Sequence, residues 1–145
     1  MRNSALILVV VLAMSAAVMA RNENLEQLKA RLGRADTGQK IDTCLQIARL
    51  QLDNADRLYS SGKVDEARTA IADVVSYTEQ AGDSAAKSGK KLKKAEILVR
   101  EMGNKLREIK HSLNFDDQAP VQEAADHLEK VRSNLLSAMF GKSNQ

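Results

Sequence analysis

Few residues of this chain have the types and spacing that chemistry requires, and the clearest pair is Glu108 and His111. A Glu-x-x-His motif on a helix can supply two ligands to an iron ion in a helical bundle. A di-iron site needs that motif twice together with two further carboxylates, and the sequence has it once. The apolar pattern also places His111 on the side of its helix away from the core. We interpret the pair as surface residues and predict no metal ion and no cofactor.

Nucleophilic catalysis has no sequence signal either. The serines lack a Gly-x-Ser-x-Gly setting, and no glycine-rich loop is present that could hold a phosphate. Cys44 is the single cysteine and stands next to Leu45, which is typical of a small buried hydrophobic residue. The alternative is a disulfide between two molecules after export. We predict that the protein is not an enzyme.

Charge is distributed unevenly along the chain. Residues 64–86 contain five acidic residues and one basic residue, whereas residues 87–110 contain nine basic and three acidic residues. A compact group of lysines opens the basic half and is our candidate anion-binding site: Lys87, Lys90, Lys91, Lys93 and Lys94. The alternative interpretation is an ordinary solvated helix surface, which charge runs often form.

The N-terminus has the features of an export signal. Arg2 supplies a positive charge, residues 5–18 form an uncharged apolar run, and small residues precede a cleavage site near Ala20–Arg21. The apolar segment is shorter than the ~20 residues that span a bilayer, so we favour a cleaved signal peptide (1–20) over an N-terminal membrane anchor. The protein is then periplasmic or secreted, with one mature domain, residues 21–145.

Composition and periodicity predict an all-α domain. Aromatic residues make up 3% of the chain and there is one proline, a composition that favours helix over sheet. Apolar residues recur at steps of three and four over residues 40–61 and again over 119–140, which predicts two helices. A shorter helix followed by a loop is expected in residues 21–38.

The segment between these two helices allows two architectures. Apolar or small residues follow one heptad stripe from Val64 to Leu113, and Gly82, Gly89 and Gly103 share one position beside it. This register favours one long, coiled-coil-like central helix, residues 64–113, against which the flanking helices fold back as antiparallel hairpins. The alternative is a turn near Gly89, which gives an up-and-down four-helix bundle.

The stretch RLYSSGKVDEARTAI, Arg57–Ile71, resembles the turn between the two helices of a tetratricopeptide repeat, with its Tyr, Gly and acidic-Ala positions. The resemblance implies a helical hairpin at this point. No second copy follows at the ~34-residue period of that repeat, so we infer no peptide-binding groove from it.

Two functions fit these features. We favour a secreted or periplasmic, non-catalytic helical protein for protein–protein interaction or self-association. In an elongated molecule several apolar residues lie off the main stripe and need a homodimer or a protein partner to cover them: Ile47, Leu50, Leu58, Leu136 and Met139. The alternative is binding of an anionic envelope polymer or lipid surface through the lysine group. Single-stranded nucleic acid is disfavoured because aromatic residues for base stacking do not alternate with the lysines.

Overall fold

The computed structural model describes residues 24–141, and the regular structure in that range is entirely helical. A short helix, α1, covers 24–32, and four long helices follow it: α2 (Thr37–Ser60), α3 (Val64–Ser88), α4 (Leu92–Ser112) and α5 (Phe115–Phe140). The all-α prediction is therefore confirmed. The predicted signal peptide and its cleavage site lie outside the described residues. None of the helices in the described range is long and apolar enough to cross a bilayer.

The prediction of one continuous helix over residues 64–113 is wrong, and the alternative with a turn near Gly89 is the observed one. Gly89 has φ 71° and Lys91 has φ 56°, so two left-handed residues reverse the chain within three positions. The Gly89 N–H donates to the carbonyl of Ala85 at 2.8 Å, and the Lys90 N–H donates to Ser88 Oγ at 3.2 Å. These bonds satisfy backbone groups at the break, as helix ends require.

The uninterrupted heptad stripe has a different cause from the one we assigned to it. Ala85 on α3 and Ala95 on α4 are both fully buried, because both helices face the same core. The three-residue turn between α3 and α4 has a length that leaves the apolar spacing of three and four residues unchanged from one helix to the next. Phase continuity along the sequence therefore does not distinguish a straight helix from a tight reversal.

The four long helices form two antiparallel hairpins, α2–α3 and α4–α5, that lie side by side. Ion pairs 49 residues apart, Asp42 with Lys91 and Arg68 with Asp117, show that α2 runs parallel to α4 and α3 parallel to α5. The hairpins join mainly through α3 and α5, and in the described chain α2 makes no contact with α5. The arrangement is thus a bundle in which α2, α3, α5 and α4 are neighbours in turn, with the α4–α2 contact the weakest of the four and α2 diagonal to α5.

Aliphatic side chains from all four long helices form the core. Burial of this apolar surface is the main stabilising contribution to such a domain. The large side chains with at most 3% exposure include Ile41, Leu45, Leu52, Ile71, Val74, Val99, Leu106, Ile109, Leu128 and Leu135.

The last helix begins earlier than the predicted boundary at residue 119. Asn114 is its N-cap residue, and Asp116 and Asp117 occupy the first turn, where carboxylates interact favourably with the helix dipole. Pro120 consequently lies in the second turn rather than the first. Similarly, α2 begins at Thr37, three residues before the predicted start at residue 40, because Asp36 and Gln39 form a capping box.

The three glycines that share one heptad position, Gly82, Gly89 and Gly103, have different surroundings in the structure. A Cβ at Gly82 would lie 2.5 Å from Val131 Cγ1, so Gly82 permits the close approach of α3 and α5. A Cβ at Gly103 would meet nothing nearer than 3.9 Å. Gly89 supplies the left-handed turn.

Labels at Ser76 and Arg100 test the reversal directly. In a straight helix these residues are ~36 Å apart. With the chain reversed, and neighbouring helix axes separated by 8–10 Å, we expect a label-to-label distance below about 25 Å. Pulsed electron paramagnetic resonance measures this distance, and a single population near the straight-helix value would contradict the bundle.

Alanine substitutions at Gly82 and Gly103 should have opposite effects on stability. Gly103→Ala should raise the free energy of unfolding by up to about 1 kcal/mol, because alanine favours helix and the site has room. Gly82→Ala should lower it by about 1–2 kcal/mol, since overlap with Val131 outweighs the same propensity gain. Urea unfolding measures both. Adding Val131→Ala to Gly82→Ala should cost less than the two single changes together, and simple additivity would count against the proposed contact.

Candidate functional site

The chain reversal places the five candidate lysines at one end of the bundle instead of along the side of a long helix. Lys87 lies in the last turn of α3, Lys90 and Lys91 lie in the α3–α4 turn, and Lys93 and Lys94 lie in the first turn of α4. All five are exposed. The structure therefore brings the whole predicted group together in a single surface region.

The start of α2 and the turn before it enlarge this region. A Cβ at Gly38 would lie 3.6 Å from Lys91 Cε, and Arg31 and Arg34 line an open hollow together with Asp42. We call residues 31–42 and 87–94 the basic end. It contains eight basic and two acidic residues, whereas residues 61–68 and 110–117 at the opposite end contain three basic and four acidic residues.

Asp42 neutralises part of the basic end from within. Its carboxylate accepts a short bond from Lys91 Nζ and a 2.8 Å bond from Lys94 Nζ. Burial opposes ionisation of Asp42, but the two ammonium donors outweigh that effect and lower the pKa of its carboxyl group. Lys91 and Lys94, two of the five candidate lysines, therefore form ion pairs that connect α4 to α2.

The remaining three, Lys87, Lys90 and Lys93, make no ion pair within residues 24–141. Lys90 and Lys93 lie beside the N-terminus of α4, whose first turn has no acidic residue and whose N-cap provides no side-chain hydrogen bond. Lys87 lies in the last turn of α3. A helix N-terminus carries partial positive charge and normally attracts acidic groups. Here it adds to the positive potential of the lysines.

Three further cations of the basic end, Arg31, Arg34 and Lys40, and its counterion Asp42 were missed in the sequence. They are about 50 residues from the lysine group, and the sequence near them has no spacing that predicts this contact. The only local signal is the capping box that starts α2 after residue 36. Which helix end lies beside it is decided by packing alone.

The residues considered for metal chemistry lie apart from one another. His111 and Glu108 are exposed, and Glu108 pairs with Lys105 at 3.8 Å. His127 pairs with Glu79 on α3 at 3.1 Å, which links the two parallel helices. Within residues 24–141 no group of three or more His, Cys, Asp or Glu side chains is arranged to hold a metal ion.

Cys44 is fully buried in the core cluster. Burial raises the pKa of its thiol, which lowers the fraction of reactive thiolate. Both properties agree with the packing interpretation and disfavour exchange with a thiol on another molecule.

Comparison with protein-family models, with characterised proteins and with solved structures found no match to this chain. The functional assignment therefore depends on the geometry and charge of the described residues.

Replacement of Asp42 by Asn should change the acid side of the stability profile. The lowered folded-state pKa means that Asp42 stabilises the fold above its unfolded-state value of about 3.9, and that this contribution is lost as pH falls through the folded-state pKa. At neutral pH, Asp42→Asn should lower the free energy of unfolding by about 1 kcal/mol or less, because the pairs are partly exposed.

The difference between wild type and Asp42→Asn should shrink as pH falls below about 4, as measured by urea unfolding across pH. Asp83→Asn is the matched control, since Asp83 is exposed and makes no ion pair in the described chain. A pH-independent penalty in Asp42→Asn would show that the carboxylate acts through shape and not through charge.

Proposed function

We propose that this is a non-catalytic helical binding protein whose basic end attaches it to an anionic partner. The observation that carries the proposal is the convergence of eight basic residues with two acidic ones at a single end of the molecule. Long-range attraction from such a concentration of charge raises the encounter rate and affinity for polyanions. The function treated as the alternative in the sequence is thus the one that the geometry supports best.

The local energetics support a binding role for the unpaired lysines. Cations beside a helix N-terminus are unfavourable for that helix, because they face the positive end of its dipole. Lys90 and Lys93 lie at this position and make no ion pair in the described chain, whereas Lys87 lies in the last turn of α3, where the dipole favours a cation. A bound anion removes this repulsion, so ligand binding and stability of the α3–α4 turn are coupled favourably.

Export of the protein and a protein partner or homodimer remain predictions. The expected homodimer depended on an elongated molecule with uncovered apolar residues. In the bundle, Ile47 is fully buried, and Leu50, Leu58, Leu136 and Met139 are half-buried. Self-association is therefore the second proposal, and the basic end is independent of it.

Replacement of the three unpaired lysines tests the proposed function. Lys87→Gln, Lys90→Gln and Lys93→Gln combined should weaken heparin binding by at least about tenfold and flatten its salt dependence, because fewer counterions are released. Lys91 and Lys94 are kept because they hold Asp42. The matched control changes three exposed cations elsewhere, Arg49, Lys63 and Lys130, to Gln and lowers the net charge equally.

The control variant should keep most of the heparin affinity, and Asp42→Asn should increase it, because the change adds positive charge and frees Lys91 and Lys94. Heparin chromatography and titration measure all of these variants, with circular dichroism as the check on folding. Equal loss in the two triple variants would mean that only net charge matters, and the basic end would not be the binding site.

A further inference from the structure

An exposed aromatic residue stands at the level of the basic end. Phe140, the last residue of α5, is 64% exposed. Gly82 on α3 approaches Val131 on α5, and these helices run parallel, so the last turn of α5 reaches the end of the bundle at which α3 stops at Ser88. The hydrogen bond from Arg132 on α5 to Glu96 on the antiparallel α4 agrees with this placement, because α4 begins at Leu92, shortly before Glu96, and α5 continues beyond Arg132 to Phe140.

The two ends of α5 each carry an exposed phenylalanine. Phe115 and Phe140 are the only large hydrophobic residues in the described chain classed as exposed, and they lie at opposite ends of α5. Met139, next to Phe140, is only half-buried. The basic end therefore combines free lysines with an uncovered apolar tip, whereas the end that carries Phe115 is weakly acidic.

We infer that the anionic partner of the basic end is the surface of a lipid bilayer that contains anionic phospholipids. This inference rests on the proposed function and specifies the partner. Lysines near an anionic bilayer each contribute to attraction by the surface potential, and an aromatic side chain at the same level can enter the interface between headgroups and acyl chains. A soluble polyanion offers the charges but no apolar region for Phe140, so a bilayer satisfies both features of this end.

The geometry fits a flat surface. The tip consists of the α3–α4 turn, which carries Lys90 and Lys91, and the C-terminal end of the neighbouring α5, which carries Phe140. Helix diameters of about 10 Å place these groups within roughly 20 Å of one another. A plane that meets the end of the bundle can therefore contact the lysines and the phenyl ring together, with the helices standing away from it.

Tryptophan substitutions give a direct test because the chain contains no tryptophan. Phe140→Trp and Phe115→Trp each place a single fluorophore, one at the basic end and one at the opposite end. With the full chain and vesicles of phosphatidylcholine containing about a quarter phosphatidylglycerol, we expect a blue shift and quenching by lipid-borne quenchers for Phe140→Trp only. Equal shifts at both positions, or none at Phe140→Trp, would overturn the inference.

Binding measurements separate the two contributions. The triple variant of Lys87, Lys90 and Lys93 should lose about 100-fold in affinity for these vesicles, from the contribution of each lysine near an anionic surface. Phe140→Ala should lose about tenfold for vesicles and leave heparin affinity unchanged, because heparin provides no apolar phase. Phe115→Ala is the matched control and should leave both affinities unchanged.

The outcomes distinguish the bilayer inference from the proposed function. Lysine-dependent heparin binding without vesicle binding, or vesicle binding that is insensitive to Phe140→Ala, would overturn the bilayer inference and leave the proposed function intact. Heparin and vesicle affinities that are both insensitive to the lysine variant would reject the two together. Vesicles of phosphatidylcholine alone show how much of the affinity depends on anionic lipid, and an equal affinity for them would also count against the inference.

Discussion

Two residues with left-handed backbone, Gly89 and Lys91, reverse the chain between α3 and α4, and the position of every later helix follows from that reversal. Glycine adopts this conformation without steric cost, but a left-handed lysine is unfavourable by about 1–2 kcal/mol. The bond from Lys91 to Asp42 offsets part of that cost and fixes the turn against the start of α2. The relative position of the two hairpins therefore depends both on this strained turn and on the ion pair between Lys91 and Asp42.

The seams between the hairpins differ in character. Between α3 and α5 the helices meet closely at Gly82 and Val131, and the seam is apolar at its centre. Between α2 and α4 the contact is slight, and ion pairs mark both ends of the seam, at Asp42 and at Asp56 with Lys105. Ion pairs also border the α3–α5 seam, Arg68 with Asp117 and Glu79 with His127. The two seams therefore differ in how closely the helices approach each other and not in whether charges border them.

Concentrated charge at the basic end is unfavourable for the fold and is the feature on which the proposed binding role rests. Like charges around the N-terminus of α4 repel one another and the helix dipole, and Asp42 relieves only the two lysines that it contacts. The remaining lysines gain nothing from intramolecular pairing in the described chain. Lys87 is favourably placed in the last turn of α3, whereas Lys90 and Lys93 have no such compensation, which is the reason for proposing an external anion. Asp42 then has two opposed effects, since it stabilises the turn and weakens the attraction for an external anion.

Local sequence was enough to predict the helical class, the α2–α3 turn at Gly62, the start of α3 at Val64 and most core positions, because caps, dipoles and apolar periodicity act over a few residues. It also contained the lysine group in full. It could not decide between a straight helix and a reversal at Gly89, since both keep the same apolar phase and differ only in which distant helices they bring together. Tertiary packing alone sets the contacts of Asp42 with Lys91 and of Gly82 with Val131, and it brings the C-terminal end of α5 to the same end of the bundle as the lysines. These contacts join residues about 50 positions apart, and their energies depend on packing geometry, which no short stretch of sequence encodes.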